Sequence, residues 1–399
     1  MPCVFDKPRP VEYGMQGRIT ISIFSLLCWC GTARAASLTF LPGPPVDSPQ
    51  SIGFGPPVSP MRLMPDGSGV VGVYGDKVFR WTPREGYSDV GIVPTPEGAS
   101  VWVRPHAISA DGATVVGRVA RGMTDKVFRW TVNDGLQFIG VEPSPAELHL
   151  RTMVSDDGAV VVGNYRSESD IRTFAWSQQS GLNFPELPSL VTALSGDGTA
   201  VSGGTGWPPT SYVWTAAAGT KVINPPPGEY QISTAGISLD GGVVVGGIDS
   251  YSSQPRAYRW SEALGVEKLG DLGSASSALA VSADGSVVVG WYSDIGAIAE
   301  RIFYWNETDG MRPLHEVLSA LQIDMTPAFI NPNADRVLDV SDDGSVILGM
   351  SVRIDADGPS PLAYRYWVAD LSAVPEPQTW ALVAAVAAQI YLLRRSKRS

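Results

Sequence analysis

The chain is poor in the residues that usually carry chemistry. Of its 399 residues only three are cysteine and three histidine. Cys3, Cys28 and Cys30 all precede residue 36, so the body of the chain has no thiol for a disulfide framework, a cysteine–metal site or a cysteine nucleophile. His106, His149 and His315 stand apart, none with a second ligand at metal spacing, and no metal is expected. No Gly-x-Ser-x-Gly elbow occurs, and no catalytic residue and no cofactor are expected. Charge is also scarce, at 17% of residues, which excludes a disordered or coiled-coil protein. A positive excess is missing too. The net charge of −11 opposes non-specific nucleic-acid binding, which needs a basic surface. What is abundant is turn and aromatic material: 43 glycines, 32 prolines and 12 tryptophans, the composition of a packed, turn-rich fold.

The two ends read as addresses. Arg18 precedes an apolar run from Ile19 to Trp29, and Ala33 and Ala35 place small residues where a signal peptidase reads, so residues 1–35 are expected to be a secretory signal peptide with Met15 as its start. At the other end Val374-Pro375-Glu376-Pro377 is followed by an apolar stretch from Trp380 to Leu393 and then by Arg394, Arg395, Lys397 and Arg398. The stretch is short. Fourteen residues span about 21 Å as a helix against a hydrocarbon core of about 30 Å. The basic cluster would hold the C-terminus inside while the leader exports the rest, and a plain membrane anchor stays open as an alternative. In order, spacing and position residues 374–399 resemble the PEP-CTERM sorting signal, departing from it in Gln389 and in the short helix. The resemblance implies recognition by an exosortase and transfer to the cell surface or an exopolysaccharide matrix. Without both ends, residues 36–373 carry 21 basic and 37 acidic side chains, a net −16.

Those middle residues repeat. An Asp-Gly pair recurs at Asp66, Asp111, Asp157, Asp197, Asp240, Asp284 and Asp343, and six residues after each aspartate stands a second glycine: Gly72, Gly117, Gly163, Gly203, Gly246, Gly290 and Gly349. A β-branched run lies between. Tryptophan then closes each unit, at Trp81, Trp130, Trp176, Trp214, Trp260, Trp305 and Trp367, and six units place a third glycine five residues later. Each unit reads as four short strands, with glycine at the two hairpins where positive φ is needed. Four-stranded units of about 40 to 45 residues with a tryptophan in register predict an all-β fold, a seven-bladed β-propeller over residues 36–373. The seventh unit lacks its fourth strand. Ser37-Leu38-Thr39-Phe40 matches Gly135-Leu136-Gln137-Phe138 and is expected to supply it, joining the chain ends and leaving no gap in the ring. The unit resembles the HAF repeat of bacterial extracellular proteins, through Ser282-Ala283-Asp284-Gly285, Val288-Val289-Gly290, Ala257-Tyr258-Arg259-Trp260 and Gly310-Met311. That resemblance implies a fold and no catalytic residues.

Other motifs dissolve into the repeat. Gly67-Ser68-Gly69-Val70-Val71-Gly72 spells a dinucleotide fingerprint but precedes no helix, and its last glycine is the repeat glycine. Leu314, Val317, Leu318 and Leu321 are spaced for one short helix packed on the ring. In such blades the Asp-Gly turns share one face, while variable connections share the other. Variable loops on a rigid scaffold carry binding. Trp102, Tyr165, Trp207, Tyr251, Trp291 and Tyr292 are therefore the candidate binding-face residues, for a polysaccharide or a surface protein. The second reading, from a different class, is a secreted carbohydrate-active hydrolase or lyase with a carboxylate pair in the central channel.

Overall fold

The computed structural model describes residues 36–42, 58–96, 101–121, 124–140, 151–167, 170–188, 190–204, 210–249, 254–294, 300–323, 335–354 and 362–372. They form seven four-stranded antiparallel sheets and one helix, Leu314–Ala320, in a seven-bladed β-propeller. Six blades use consecutive strands. In the seventh the order is Arg336–Val340, Val346–Ile354, Leu362–Asp370 and then Ser37–Phe40 from the start of the chain. The register pairs Leu38 with Ala369 and Phe40 with Trp367, the relation that Leu136 has to Trp130 and Phe138 to Phe128 in blade two. The ring closes by strand pairing, as the repeat arithmetic predicts.

The Asp-Gly turns have one design. In blades two to seven the serine hydroxyl donates to the aspartate and accepts the N–H five residues on; Ser282 Oγ to Asp284 is 2.8 Å and Val287 N–H to Ser282 Oγ is 3.0 Å. The glycine after each aspartate has positive φ, from 65° at Gly67 to 76° at Gly241. That conformation and a second constraint exclude other residues. A Cβ at Gly285 would collide with Val243 of the preceding blade, and one at Gly344 with Val287, so each turn docks on its neighbour with no room for a side chain. Burial works against ionisation of Asp284, but hydrogen bonds from the N–H and hydroxyl of Ser286 and from Ser282 outweigh it and hold its pKa below the ordinary range. These aspartates serve the turn.

Backbone bonds then link turn to turn around the channel. Ala110 N–H donates to Asp156 C=O, Asp156 to Gly196, Asp197 to Leu239, Leu239 to Ala283, Ala283 to Asp342 and Asp342 to Pro65, all at 2.8 to 3.2 Å. Among the described residues the junction from blade one to blade two breaks this series. Its donor position is Pro65, which has no N–H.

The second repeat glycine makes room for an aromatic ring. Gly72 pairs with Phe79 and Gly163 with Phe174, and an added Cβ would stand 2.8 Å and 2.5 Å from those rings. The aromatic at this register is buried in blades one to six, as Phe79, Phe128, Phe174, Tyr212, Tyr258 and Phe303. The tryptophan two residues later is shallower: Trp81 and Trp130 are buried, but Trp176, Trp214, Trp260 and Trp305 are half-exposed. Two of these four carry an arginine from the previous blade, Arg129 on Trp176 and Arg259 on Trp305, at 5.3 and 5.4 Å.

Blade seven corrects the repeat reading. Trp367 pairs with Gly349, the register of the buried phenylalanines, and the true counterpart of the other six tryptophans is Ala369, opposite Ile347. Spacing along the chain misassigns it because the loop before it is longer than in the other blades. The helix falls where expected. Leu314 and Leu318 are fully buried against Val289, Ile302, Val337 and Trp367, filling the joint between blades six and seven.

Candidate functional site

Of the six aromatics expected on the loop face, Trp102 alone is freely exposed among the described residues, at 66% of its surface. It stands near the start of the innermost strand of blade two, Val101–Ile108. Tyr165 lies edge-on to Phe184, ring centroids 5.8 Å apart, and is half-buried. Trp291 is also half-buried. Tyr292 is a correction: the second strand of blade six runs on to Ser293, and alternation along it turns Tyr292 inward, 4% exposed among Ala257, Leu269 and Phe303. Trp207 and Tyr251 lie outside the described residues, as do Ala33, Ala35, Val374, Pro375, Glu376, Pro377, Arg394 and Arg395. Among the described residues no helix is long and apolar enough to cross a membrane, and no cluster of His, Cys, Asp or Glu could hold a metal ion.

The central channel holds what the repeat pattern hides. Toward the Asp-Gly face, a cavity of about 220 Å³ is lined by Arg62, Asp156, Asp339 and Asp342 among apolar innermost-strand residues such as Leu194, Ile237 and Leu279. Arg62 reaches from blade one to Asp156 of blade three, at 2.7 Å, and lies 4.0 Å from Asp339 of blade seven. Burial alone would strip Arg62 of its proton more easily, but Asp339, Asp156 and Asp342 reverse that and hold its pKa above the ordinary value. Asp339 accepts the N–H groups of Leu63 at 2.9 Å and of Val340 at 3.0 Å, which ties blade seven to blade one. Its own pKa is pushed up by burial, against the pull of Arg62 and those two donors. Asp342 is raised by burial and then by Asp156. The cluster is anionic, with one cation among three carboxylates.

Further up the channel a second chamber of about 250 Å³ is bounded by Arg62, His106, Arg151, Met153 and Thr192. It has the opposite character. His106 Nδ1 is 3.4 Å from Thr152 Oγ1 of blade three. The Arg151 guanidinium lines the chamber with no ion-pair partner among the described residues, and desolvation there pulls its pKa down. The channel is thus polar along its axis, arginine and histidine toward the loop face and aspartates toward the turn face.

Sequence reasoning passed over these residues because it treated innermost strands as interchangeable. One signal was present. The residue just before the Asp-Gly pair is acidic in only two of the seven copies, Asp156 and Asp342, and both face the channel cavity.

No protein-family model matches the chain, and no curated protein matches it. Solved structures with a similar course include TolB from Acinetobacter baumannii, 13% identical over 63% of this chain with a TM-score of 0.41; the match spans 61% of the TolB chain. The propeller domain of the Trilobed protease from Pyrococcus furiosus is 10% identical over 80% of this chain and 96% of its own, with a TM-score of 0.49. Oligogalacturonate lyase from Vibrio parahaemolyticus is 12% identical over 79% of this chain and 89% of its own, again at 0.49. At these identities the likeness is one of fold and carries nothing about activity.

Proposed function

We propose that this is an exported, non-enzymatic surface or matrix protein whose propeller presents its loop face for binding a polysaccharide or a surface protein. The observation that carries the reading is the contrast between the two faces. One is made of near-identical, mutually bonded Asp-Gly turns; the other carries connections of unequal length and the exposed Trp102. A face fixed by repetition has no individual surface to recognise a partner, whereas unequal loops on the same rigid ring do. A glycan and surface-protein binding screen of the purified protein, with turnover followed in the same samples, tests it. Binding without turnover is expected; hydrolysis or elimination of a bound glycan would overturn it.

The hydrolase or lyase reading draws on Asp156, Asp339 and Asp342, which share one cavity and include two carboxylates with raised pKa values. Arg62 occupies Asp156 and Asp339, and backbone N–H groups occupy Asp339 again, so these two carboxylates are committed to holding blades one, three and seven together. That commitment favours the binding reading.

We also propose that residues 1–35 and 374–399 direct export and exosortase-dependent sorting, with transient anchoring in the inner membrane through the apolar C-terminal stretch. Replacing Pro375, Glu376 and Pro377 by alanine is expected to leave the protein in the inner-membrane fraction of its host. Surface release at the normal level would sink the sorting proposal.

A further inference from the structure

The chain leaves the propeller at a defined place. Asp370 ends the third strand of blade seven, Leu362–Asp370, and is paired with Val346, which directly follows the Asp343-Gly344-Ser345 turn. Leu371 N–H then donates to Ser345 C=O at 2.7 Å, and Asp370 Oδ1 accepts the Ser372 N–H at 3.0 Å, so the exit is fastened to that turn. Ser37 pairs with Asp370 as well, and the chain therefore enters the ring where it leaves it. Both points lie on the Asp-Gly turn face. The loop face is at the other end of the same nine-residue strand, about 26 Å away at a strand's ordinary rise. Only the seven residues Ala373 to Thr379 separate the exit from the apolar stretch Trp380 to Leu393. Fully extended, seven residues reach about 25 Å.

We propose that, while the apolar stretch is anchored, the propeller is tethered with its Asp-Gly turn face toward the lipid surface and its loop face outward. The proposal rests on the anchoring reading above and adds the direction in which the ring is presented. The tether sets that direction. A strap fixed to the turn face could bring the loop face to the bilayer only by running the whole height of blade seven, which uses its full length of about 25 Å. Charge holds the two surfaces apart. The seven Asp-Gly aspartates are all exposed on the turn face, and they repel anionic headgroups at separations up to the Debye length, about 8 Å at physiological salt. The face is kept near the bilayer by the strap and off it by the carboxylates. Glu376 stands four residues past Ser372, within about 14 Å of the turn face at full extension. A membrane enzyme acting on the Pro-Glu-Pro box therefore works beside the turn face, and the loop face stays free to engage its partner before the box is cut.

The test uses the full chain with Pro375, Glu376 and Pro377 changed to alanine and with Cys3, Cys28 and Cys30 changed to serine, purified from the membrane of its host and reconstituted in vesicles of phosphatidylethanolamine and phosphatidylglycerol. Residues 36–399 contain no cysteine, so one introduced thiol carries the only donor dye. Thr308→Cys and Ala263→Cys put the dye on exposed turns of the turn face, and Thr95→Cys and Asn224→Cys put it on exposed connections of the loop face. The acceptor dye is on lipid headgroups. Energy transfer is expected to be at least about twofold stronger from the turn-face pair than from the loop-face pair, because the two faces are about 26 Å apart. Inserting about twenty Gly-Ser residues after Ala373 should erase that difference, since a flexible strap of this length lets the ring turn over. Equal transfer from the two pairs with the native strap, or stronger transfer from the loop face, overturns the proposal while leaving the anchor. A difference that survives the long strap also overturns it, in favour of direct adsorption of the turn face on lipid. A chain that does not float with the vesicles removes the anchoring reading, and this proposal with it.

Discussion

Trp367→Ala is expected to destabilise the protein by about 3 to 5 kcal/mol, the cost of emptying a large buried aromatic site. Trp367 is fully buried, its ring fills the space that Gly349 leaves open, and its Nε1 donates to Ser351 Oγ at 3.1 Å. It also pairs with Phe40 of the closing strand and touches the cluster around Leu314 and Leu318, so the cavity would open where the chain ends meet. A strand of four residues joined by one ladder depends on this packing, with buried Leu41 and its N–H bond to Tyr366 C=O as its continuation. Trp367→Phe, which installs the side chain that blades one, two, three and six use at this register, should lose less than half as much. Denaturant titration of the three proteins, with proteolysis after Phe40 as a local probe, gives the answer. A midpoint change worth under 1 kcal/mol for Trp367→Ala would show that closure does not depend on this ring.

Asp335→Asn should act in the opposite direction and only above a certain pH. Asp335 is 2% exposed, and burial pushes its pKa up to about 6 against the opposing pull of the Ser351 hydroxyl. The folded state therefore holds the proton more tightly than the unfolded chain, whose carboxyl titrates near 3.8. Below that value both states are protonated and the group costs nothing. As pH rises from about 4 to about 6 the unfolded state ionises first, stability falls, and the loss levels off at up to about 3 kcal/mol, two pKa units at about 1.4 kcal/mol each. Asparagine copies the neutral form at every pH. The variant should be more stable than the parent at pH 7.5 by about 2 to 3 kcal/mol and within about 0.6 kcal/mol of it at pH 4, as measured by chemical denaturation at both. A difference independent of pH would mean that Asp335 is ionised and compensated in the folded protein.

Both residues stand in blade seven, the unit where the repeat is least regular. Six blades are built from local hairpins in sequence order, but this one joins Arg336–Val340, Val346–Ile354 and Leu362–Asp370 to a strand almost 330 residues away. The network of Arg62, Asp339 and the Leu63 N–H crosses the same joint, and Asp342 N–H to Pro65 C=O adds a backbone bond. Irregularity and closure coincide because the last blade must accept a strand it does not encode.

Much of this architecture is set by the sequence alone. Asp-Gly at a fixed interval needs positive φ in each copy, a second glycine six residues on marks the end of a β-branched strand, and seven such copies with the fourth strand missing from the last require a closing strand from elsewhere. Those features are periodic and local, so they can be counted without coordinates. The short helix also declares itself, through the spacing of Leu314, Val317 and Leu318. Only the tertiary structure decided which residues meet across the channel. Arg62 and Asp156 lie 94 positions apart and Asp339 a further 183, and nothing in the spacing brings them together. It also decided depth. Trp367 took the register of a buried phenylalanine because strand pairing, not chain distance, sets position in a sheet, and Tyr292 turned inward because its strand ran three residues beyond the repeat glycine. The division follows from the physics. Repetition fixes backbone geometry, which is the same in every blade, whereas the channel and the loop face are made where seven unequal copies converge, and their chemistry lies in the differences.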